Sequence, residues 1–228
     1  MFTVDENSGG RRVLWWSLLL GAAVRIVAFW HTSSLGVEIG DEKQYTQIAL
    51  NILAGEGFGW GPHALTSIRP PLYPWLLSWI WAVSGSQNFQ AVRAVQMVLA
   101  LGTTALVYLL GARAFSKPVG RWAAAMFWLY PSFIFFNFLV LTETLFTLLL
   151  VAFVLLTVVL VQAPRAWVAL GCGATLALAA LTRSVLWPVP LVLCPLLTWF
   201  IKEPLSRRLA MALLVLVSYA TFIVPWAI

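Results

Sequence analysis

The sequence predicts an all-α protein, a polytopic transmembrane helical bundle of about seven spans with interfacial juxtamembrane helices in a long first outer loop. Three observations carry this. Of 228 residues, 61% are hydrophobic and only 10% are charged, against roughly 25% charged in a soluble domain. Seven apolar runs approach the roughly 20 helical residues that cross a hydrocarbon core of about 30 Å. Lys and Arg gather in alternate loops, following the positive-inside tendency. The 13 Trp and 14 Phe suit interfacial belts and lipid-facing surfaces, so no nucleic-acid partner is expected. The net charge of +6 is informative through its placement along the chain.

The polar tail MFTVDENSGGRR leads into the first run, 13–31, which lacks a small-residue cleavage site and reads as an uncleaved helix. Runs at 91–112, 122–140, 144–162, 166–182, 184–201 and 209–227 supply the other spans. The run LYPWLLSWIWAVSG, 72–85, reaches only about 21 Å as a helix, so it is assigned to the interface. Counting it as a span would put Arg113, Lys117 and Arg121 outside, against the charge rule. With a cytoplasmic N-terminus, nine of the fourteen basic residues lie inside: Arg11, Arg12, Arg113, Lys117, Arg121, Arg165, Lys202, Arg207 and Arg208. Lys43, Arg69, Arg93 and Arg183 lie outside, and Arg25 is within the first span. The acids Glu38, Asp41, Glu42, Glu56 and Glu143 fall on the outer side, with Asp5, Glu6 and Glu203 inside. Residues 1–228 thus form a single transmembrane module whose outer face collects carboxylates and isolated arginines.

The outer loop, 32–71, contains EIGDEKQYTQIALNILAGEGFGW. Tyr45, Ile48, Ala49, Ile52 and Leu53 fall at i, i+3, i+4, i+7 and i+8, opposed by Lys43, Gln44, Gln47 and Asn51, which makes an amphipathic surface helix. Gly55 and Gly57 stop it. Asp41 suits a helix N-cap and the helix dipole as well as it suits general-base work. Glu42 alone reads as a first-turn acid. In SIRPPLYPWL the two prolines hold Arg69 in extended chain, either as a snorkelling anchor or as a rigid guanidinium for a phosphate.

Arg93 near the start of the second span and Arg183 in ALTRSVLWPVP admit the same two readings. Arg25, inside the first span, calls for a carboxylate or lipid phosphate as partner. Glu143 lies in NFLVLTETLFTLLL, where a tight hairpin between two runs would ordinarily use Gly, Pro, Asn, Asp or Ser; the choice of Glu leans towards function. Cys172 and Cys194 sit in apolar segments as small buried thiols. His31 and His63 are read as ordinary interfacial residues. No metal-ligand spacing, phosphate loop or Ser-His-Asp pattern is present, so no cofactor is assigned and a divalent metal is left open.

In order along the chain, GDEKQYTQIALNILAG, then RPPLYPWL about 28 residues later, AVR, LTET, ALTRSVLWPVP and VPW resemble the GT-C membrane glycosyltransferases. The similarity is to the branch that includes protein O-mannosyltransferases and lipid A aminoarabinose transferases, and it covers nearly the whole chain. The resemblance implies a glycosyltransferase that takes a sugar from a polyprenyl-phosphate donor at the outer face. The acceptor would be a lipid, glycan or protein hydroxyl, and transfer would invert the anomeric centre. It implies Asp41 as the catalytic carboxylate, with Glu42 beside it, and Arg69 on the donor phosphate, with Arg93, Arg183, Glu143 and Tyr45 as further substrate-site residues.

Many relatives carry Asp where this chain has Glu143, and several carry Lys where it has Arg69. Relatives also continue with more spans, so the chain reads as a fragment or a short member. The competing expectations are a lipid-sugar flippase or carrier, a small-molecule transporter, or a structural subunit that retains only the fold. The expected location is multi-pass in the plasma membrane, with a cytoplasmic N-terminus and a periplasmic, extracellular or lumenal active face.

Overall fold

The computed structural model describes residues 6–61 and 64–227; Asp5 and His63 lie outside the described residues. The regular elements among the described residues are helical: α1 (Glu6–His31), α2 (Gly40–Leu53), α3 (Leu72–Ser84), α4 (Phe89–Ala114), α5 (Lys117–Leu129), α6 (Pro131–Phe136), α7 (Glu143–Gln162), α8 (Ala166–Ala180), α9 (Val189–Phe200) and α10 (Leu205–Ala227), with a 3-10 turn at Ser184–Leu186. Of these, α1, α4, α7 and α10 are long and apolar enough to cross a membrane. The all-α membrane protein expected from composition is what the chain forms. It divides into two compact units, Met1–Leu145 and Phe146–Ile228.

Four of the seven anticipated spans are therefore long single helices, and the other three are interrupted or short for identifiable reasons. The run 122–140 breaks at Pro131, which drives Tyr130 into an extended conformation (φ −67°, ψ 121°). Beyond the short α6 the chain stays non-helical over 137–142. The run 166–182 yields a helix of 15 residues, about 22 Å long. In 184–201, Pro188 precedes the helix, which begins at Val189 with Pro190 in its first turn and has 12 residues.

In the first unit, α1 and α4 both pack on α5. Gly111 of α4 and Gly120 of α5 meet backbone to backbone: a Cβ at Gly111 would stand 2.8 Å from the Gly120 Cα, so only glycine permits this approach. Ser116 caps the turn between them by accepting from the Val119 N–H. α2 lies against α3 and buries Glu42, Tyr45, Thr46, Ile48, Ala49 and Asn51. Of the predicted apolar stripe, Tyr45, Ile48 and Ala49 are buried, Ile52 is half-buried and Leu53 is exposed. Asn51, expected on the polar side, instead turns inward and donates to the Gly59 carbonyl at 2.6 Å. The helix ends where Gly55 takes φ 77°, a left-handed geometry that side chains resist. In the second unit α8 and α9 pack on α10, with Ser218 donating to the Leu170 carbonyl at 2.8 Å.

Candidate functional site

The segment 137–142 organises the polar side chains of the first unit. Its residues Asn137, Phe138, Val140, Leu141 and Thr142 are buried, and backbone without a helix must find partners elsewhere. Gln96 donates from Nε2 to the carbonyls of Asn137 (3.0 Å) and Leu139 (2.8 Å). Arg93 donates from Nε to the Phe138 carbonyl (3.1 Å) and from Nη1 and Nη2 to the carbonyls of Thr32 (2.6 Å) and Leu35 (2.8 Å). The Val140 N–H donates to Glu42 Oε1 at 2.8 Å. Arg25 donates from Nε to Asn137 Oδ1 (2.8 Å) and from Nη1 to the Trp128 carbonyl (2.9 Å), and it stacks 3.7 Å from the Trp128 ring centre.

These contacts settle the surroundings of three ionisable groups. Among the described residues no carboxylate meets Arg25; an amide oxygen, main-chain carbonyls and an indole face hold it. Glu42 is 2% exposed, and its other oxygen accepts from the N–H groups of Ile39 (3.0 Å) and Glu38 (3.1 Å). It thereby caps α2 from its third residue, as the acid of a capping box does. Glu42 also lies within electrostatic reach of the Arg93 guanidinium, so opposite charges accompany each other into the interior. Each nitrogen of the Arg93 guanidinium has a carbonyl partner.

Asp41, one residue earlier, faces outward. Its Oδ1 accepts from Arg69 Nη2 at 2.5 Å, with side-chain exposures of 52% for Asp41 and 24% for Arg69. Gln44, one turn along α2, accepts from Arg69 Nε (2.8 Å) and Nη2 (2.5 Å) through a single oxygen. The guanidinium carbon lies 5.3 Å from the Tyr45 ring centre. Pro70 and Pro71 lead directly into α3, which fixes Arg69 at its approach. Among the described residues, neither Arg69 Nη1 nor Asp41 Oδ2 has a hydrogen-bond partner. A cationic donor edge and an anionic acceptor thus stand side by side with capacity to spare.

Two tyrosines join this outer pair to the inner clamp. Tyr45 meets Tyr73 edge to face at 5.4 Å, and Tyr73 Oη donates to Gln96 Oε1 at 2.9 Å. Burial raises the Tyr45 phenol above its ordinary value, opposed by the Arg69 charge and by a hydrogen bond with Thr142. Burial, with Glu143 and Glu42 nearby, raises Tyr73 well above its ordinary value. Glu143 begins α7, half-buried, and its charge acts on both phenols. Asp41, Tyr45, Arg69 and Glu143 therefore fall in one neighbourhood. Arg183 belongs to the second unit, where it is exposed over the Phe146 ring at 5.6 Å.

Sequence reasoning did not single out Gln96, Asn137 or Tyr73, and it placed Gln44 only on a polar helix face. A Gln or Asn inside an apolar run was the available signal, because such a group must be bonded where it is buried. An apolar cavity of about 570 Å³ opens near the start of α2, lined by Ala28, Leu35, Ile39, Ile134, Phe135 and Phe138 among others. Among the described residues no three His, Cys, Asp or Glu side chains are grouped to hold a metal ion.

The family described as dolichyl-phosphate-mannose-protein mannosyltransferase matches residues 68–228. The match begins one residue before Arg69 and so contains Arg69, Arg93, Glu143 and Arg183, while Asp41, Glu42 and Tyr45 precede it. No curated protein and no solved structure matches the chain.

Proposed function

The chain belongs to the dolichyl-phosphate-mannose-protein mannosyltransferase family, and from that premise we propose that it passes a sugar from a polyprenyl-phosphate donor to an acceptor hydroxyl. Asp41 acts as base, the anomeric carbon inverts, and the reaction takes place at the outer face of the membrane. The observation that carries this reading is the Asp41–Arg69 pair at 2.5 Å, each partner with hydrogen-bonding capacity left over.

In this mechanism the acceptor hydroxyl donates to Asp41 Oδ2 and loses its proton there as its oxygen attacks the anomeric carbon. The bond from that carbon to the phosphate oxygen breaks, and polyprenyl phosphate departs. The donor phosphate carries one negative charge and the departing phosphate monoester about two. A cation beside it is therefore worth more in the transition state than in the ground state. Arg69 is that cation, stacked on Tyr45. Glu143, close to the same phenols, orients the acceptor. The apolar cavity near α2 offers the lipid chain a place to lie.

Glu42 and Arg93 hold segment 137–142 in place, and both stand at the wall of the apolar cavity. A transport reading expects a broken helix whose freed backbone groups meet the cargo. Here the break at 137–142 is occupied by Glu42, Arg93 and Gln96, which disfavours it.

Asp41→Asn keeps the shape of the side chain and removes the base, so transfer from a polyprenyl-phosphate sugar should fall about 10³-fold. An unchanged rate in a folded variant would overturn the proposed chemistry. A panel of polyprenyl-phosphate sugars assayed with the wild-type chain identifies the donor.

A further inference from the structure

We infer that Gln44 is the positioning residue for Arg69, and that Asp41 serves as a place-holding anion which donor phosphate displaces from the guanidinium. The inference rests on the donor-phosphate reading of Arg69 and adds an order of events to it. Before donor binds, Asp41 is held by the residue that must bind donor. Once phosphate takes over Nη2 as well as the open Nη1, the carboxylate is released to accept the acceptor's proton. The base is uncovered only once a phosphate occupies the guanidinium, so proton acceptance by Asp41 follows donor binding.

Three features support the exchange. The ion pair is weak by placement: Asp41 is half exposed and, among the described residues, its side chain bonds through Oδ1 to Arg69, and exposed pairs contribute little. A phosphate with two oxygens facing the fork of an arginine makes a stronger, bidentate contact. The second anchor is neutral. Gln44 Oε1 accepts from both Nε and Nη2, which fixes the plane of the guanidinium without cancelling its charge. A glutamate at the same position would hold the arginine equally well but would neutralise it against phosphate. Asp41 and Gln44 are three residues apart, so one helical face presents both oxygens to one guanidinium.

The two side chains are thereby assigned opposite effects on donor phosphate. Asp41 competes with it, and Gln44 prepares its site. The test measures binding of undecaprenyl phosphate, which lacks the sugar, to the full chain in nanodiscs. Asp41→Asn should bind about threefold tighter than wild type, which is the fold-change that loss of one exposed ion pair implies. Gln44→Glu should bind about tenfold weaker, and its donor KM should rise by more than its kcat falls.

Glu56→Gln is the control, since Glu56 is an exposed acid just past the end of α2 and is not among the residues that line the cavity near α2. Its affinity should match wild type. Equal or weaker binding by Asp41→Asn overturns the exchange, as does an equal gain in Glu56→Gln, which would mean general charge repulsion. Wild-type affinity in Gln44→Glu overturns the positioning role. Failure of the wild-type protein to bind undecaprenyl phosphate at all overturns the donor-site reading and, with it, this inference.

Discussion

Asp41 and Glu42 are neighbours in the chain, yet they belong to two regions with opposite chemistry. In the outer region, Asp41 and Arg69 share a hydrogen bond, stand partly in solvent and, among the described residues, retain an unbonded oxygen and an unbonded N–H edge. In the inner region, Glu42, Arg93 and Gln96 are 1–2% exposed, and each is engaged by backbone groups. Both places hold an Arg and an acid. Only the outer pair has hydrogen-bonding capacity left for a substrate, and only it can change partners without exposing buried polar groups. The difference teaches that an ionisable residue in an apolar chain can hold irregular backbone together as readily as it can perform chemistry.

The comparison is most sharply tested at Arg69. Arg69→Ala should slow transfer by about 10³-fold, which corresponds to about 4 kcal/mol of lost phosphate stabilisation, with thermal unfolding close to wild type. Arg69→Lys should recover part of that, because lysine brings the charge without the fork that meets Gln44 and Asp41 together. If Arg69→Ala chiefly lowered the unfolding temperature and left transfer alone, the outer region would be structural as well.

Glu42→Ala should show the reverse pattern. It leaves the N–H groups of Val140, Ile39 and Glu38 without their acceptor, costing about 3 kcal/mol of stability, read as a lower unfolding temperature in detergent. Glu42→Gln retains an acceptor oxygen and should keep most of the transfer activity of the folded fraction. Loss of transfer in Glu42→Gln at unchanged stability would return Glu42 to the catalytic group.

Gln96→Leu removes both amide donors to segment 137–142 and the acceptor of the Tyr73 hydroxyl. A loss of about 2 kcal/mol is expected, accompanied by faster hydrogen exchange over 137–142.

The smallest effect belongs to Tyr73→Phe, about 1 kcal/mol at neutral pH from the lost bond to Gln96. Burial keeps the folded Tyr73 phenol protonated well above its ordinary value of 10.0. Between that value and the higher folded one, the native state holds a proton that the unfolded chain releases. The contribution is therefore full below pH 10.0 and is lost as pH rises through the folded value. Unfolding temperatures measured between pH 8 and 11 should fall less steeply in Tyr73→Phe than in wild type.

The helical fold class, the surface helix α2 and its end at Gly55 were legible because each rests on local periodicity or on a single backbone preference. The short run at 72–85 was legible from its length and forms α3. The break at Pro131 was visible as a proline but lay inside a run whose hydropathy alone looked continuous. The candidate site was half legible. Asp41 and Arg69 were marked by charge and by the prolines after Arg69, while Gln44 offers no signal beyond being polar on a polar face. Arg93 and Glu42 were marked by charge too, and the same mark proved compatible with a different task.

By itself, the sequence determined that this chain enters a membrane as helices and that its acids and a few arginines stand apart from the apolar runs, since both follow from residue type and spacing. Tertiary structure alone decided which of those charges remain available. That depends on where the unwound segment 137–142 passes, because unpaired backbone there draws Glu42, Arg93 and Gln96 to itself. Arg69, 28 residues from Asp41 in the chain, is left free to meet it.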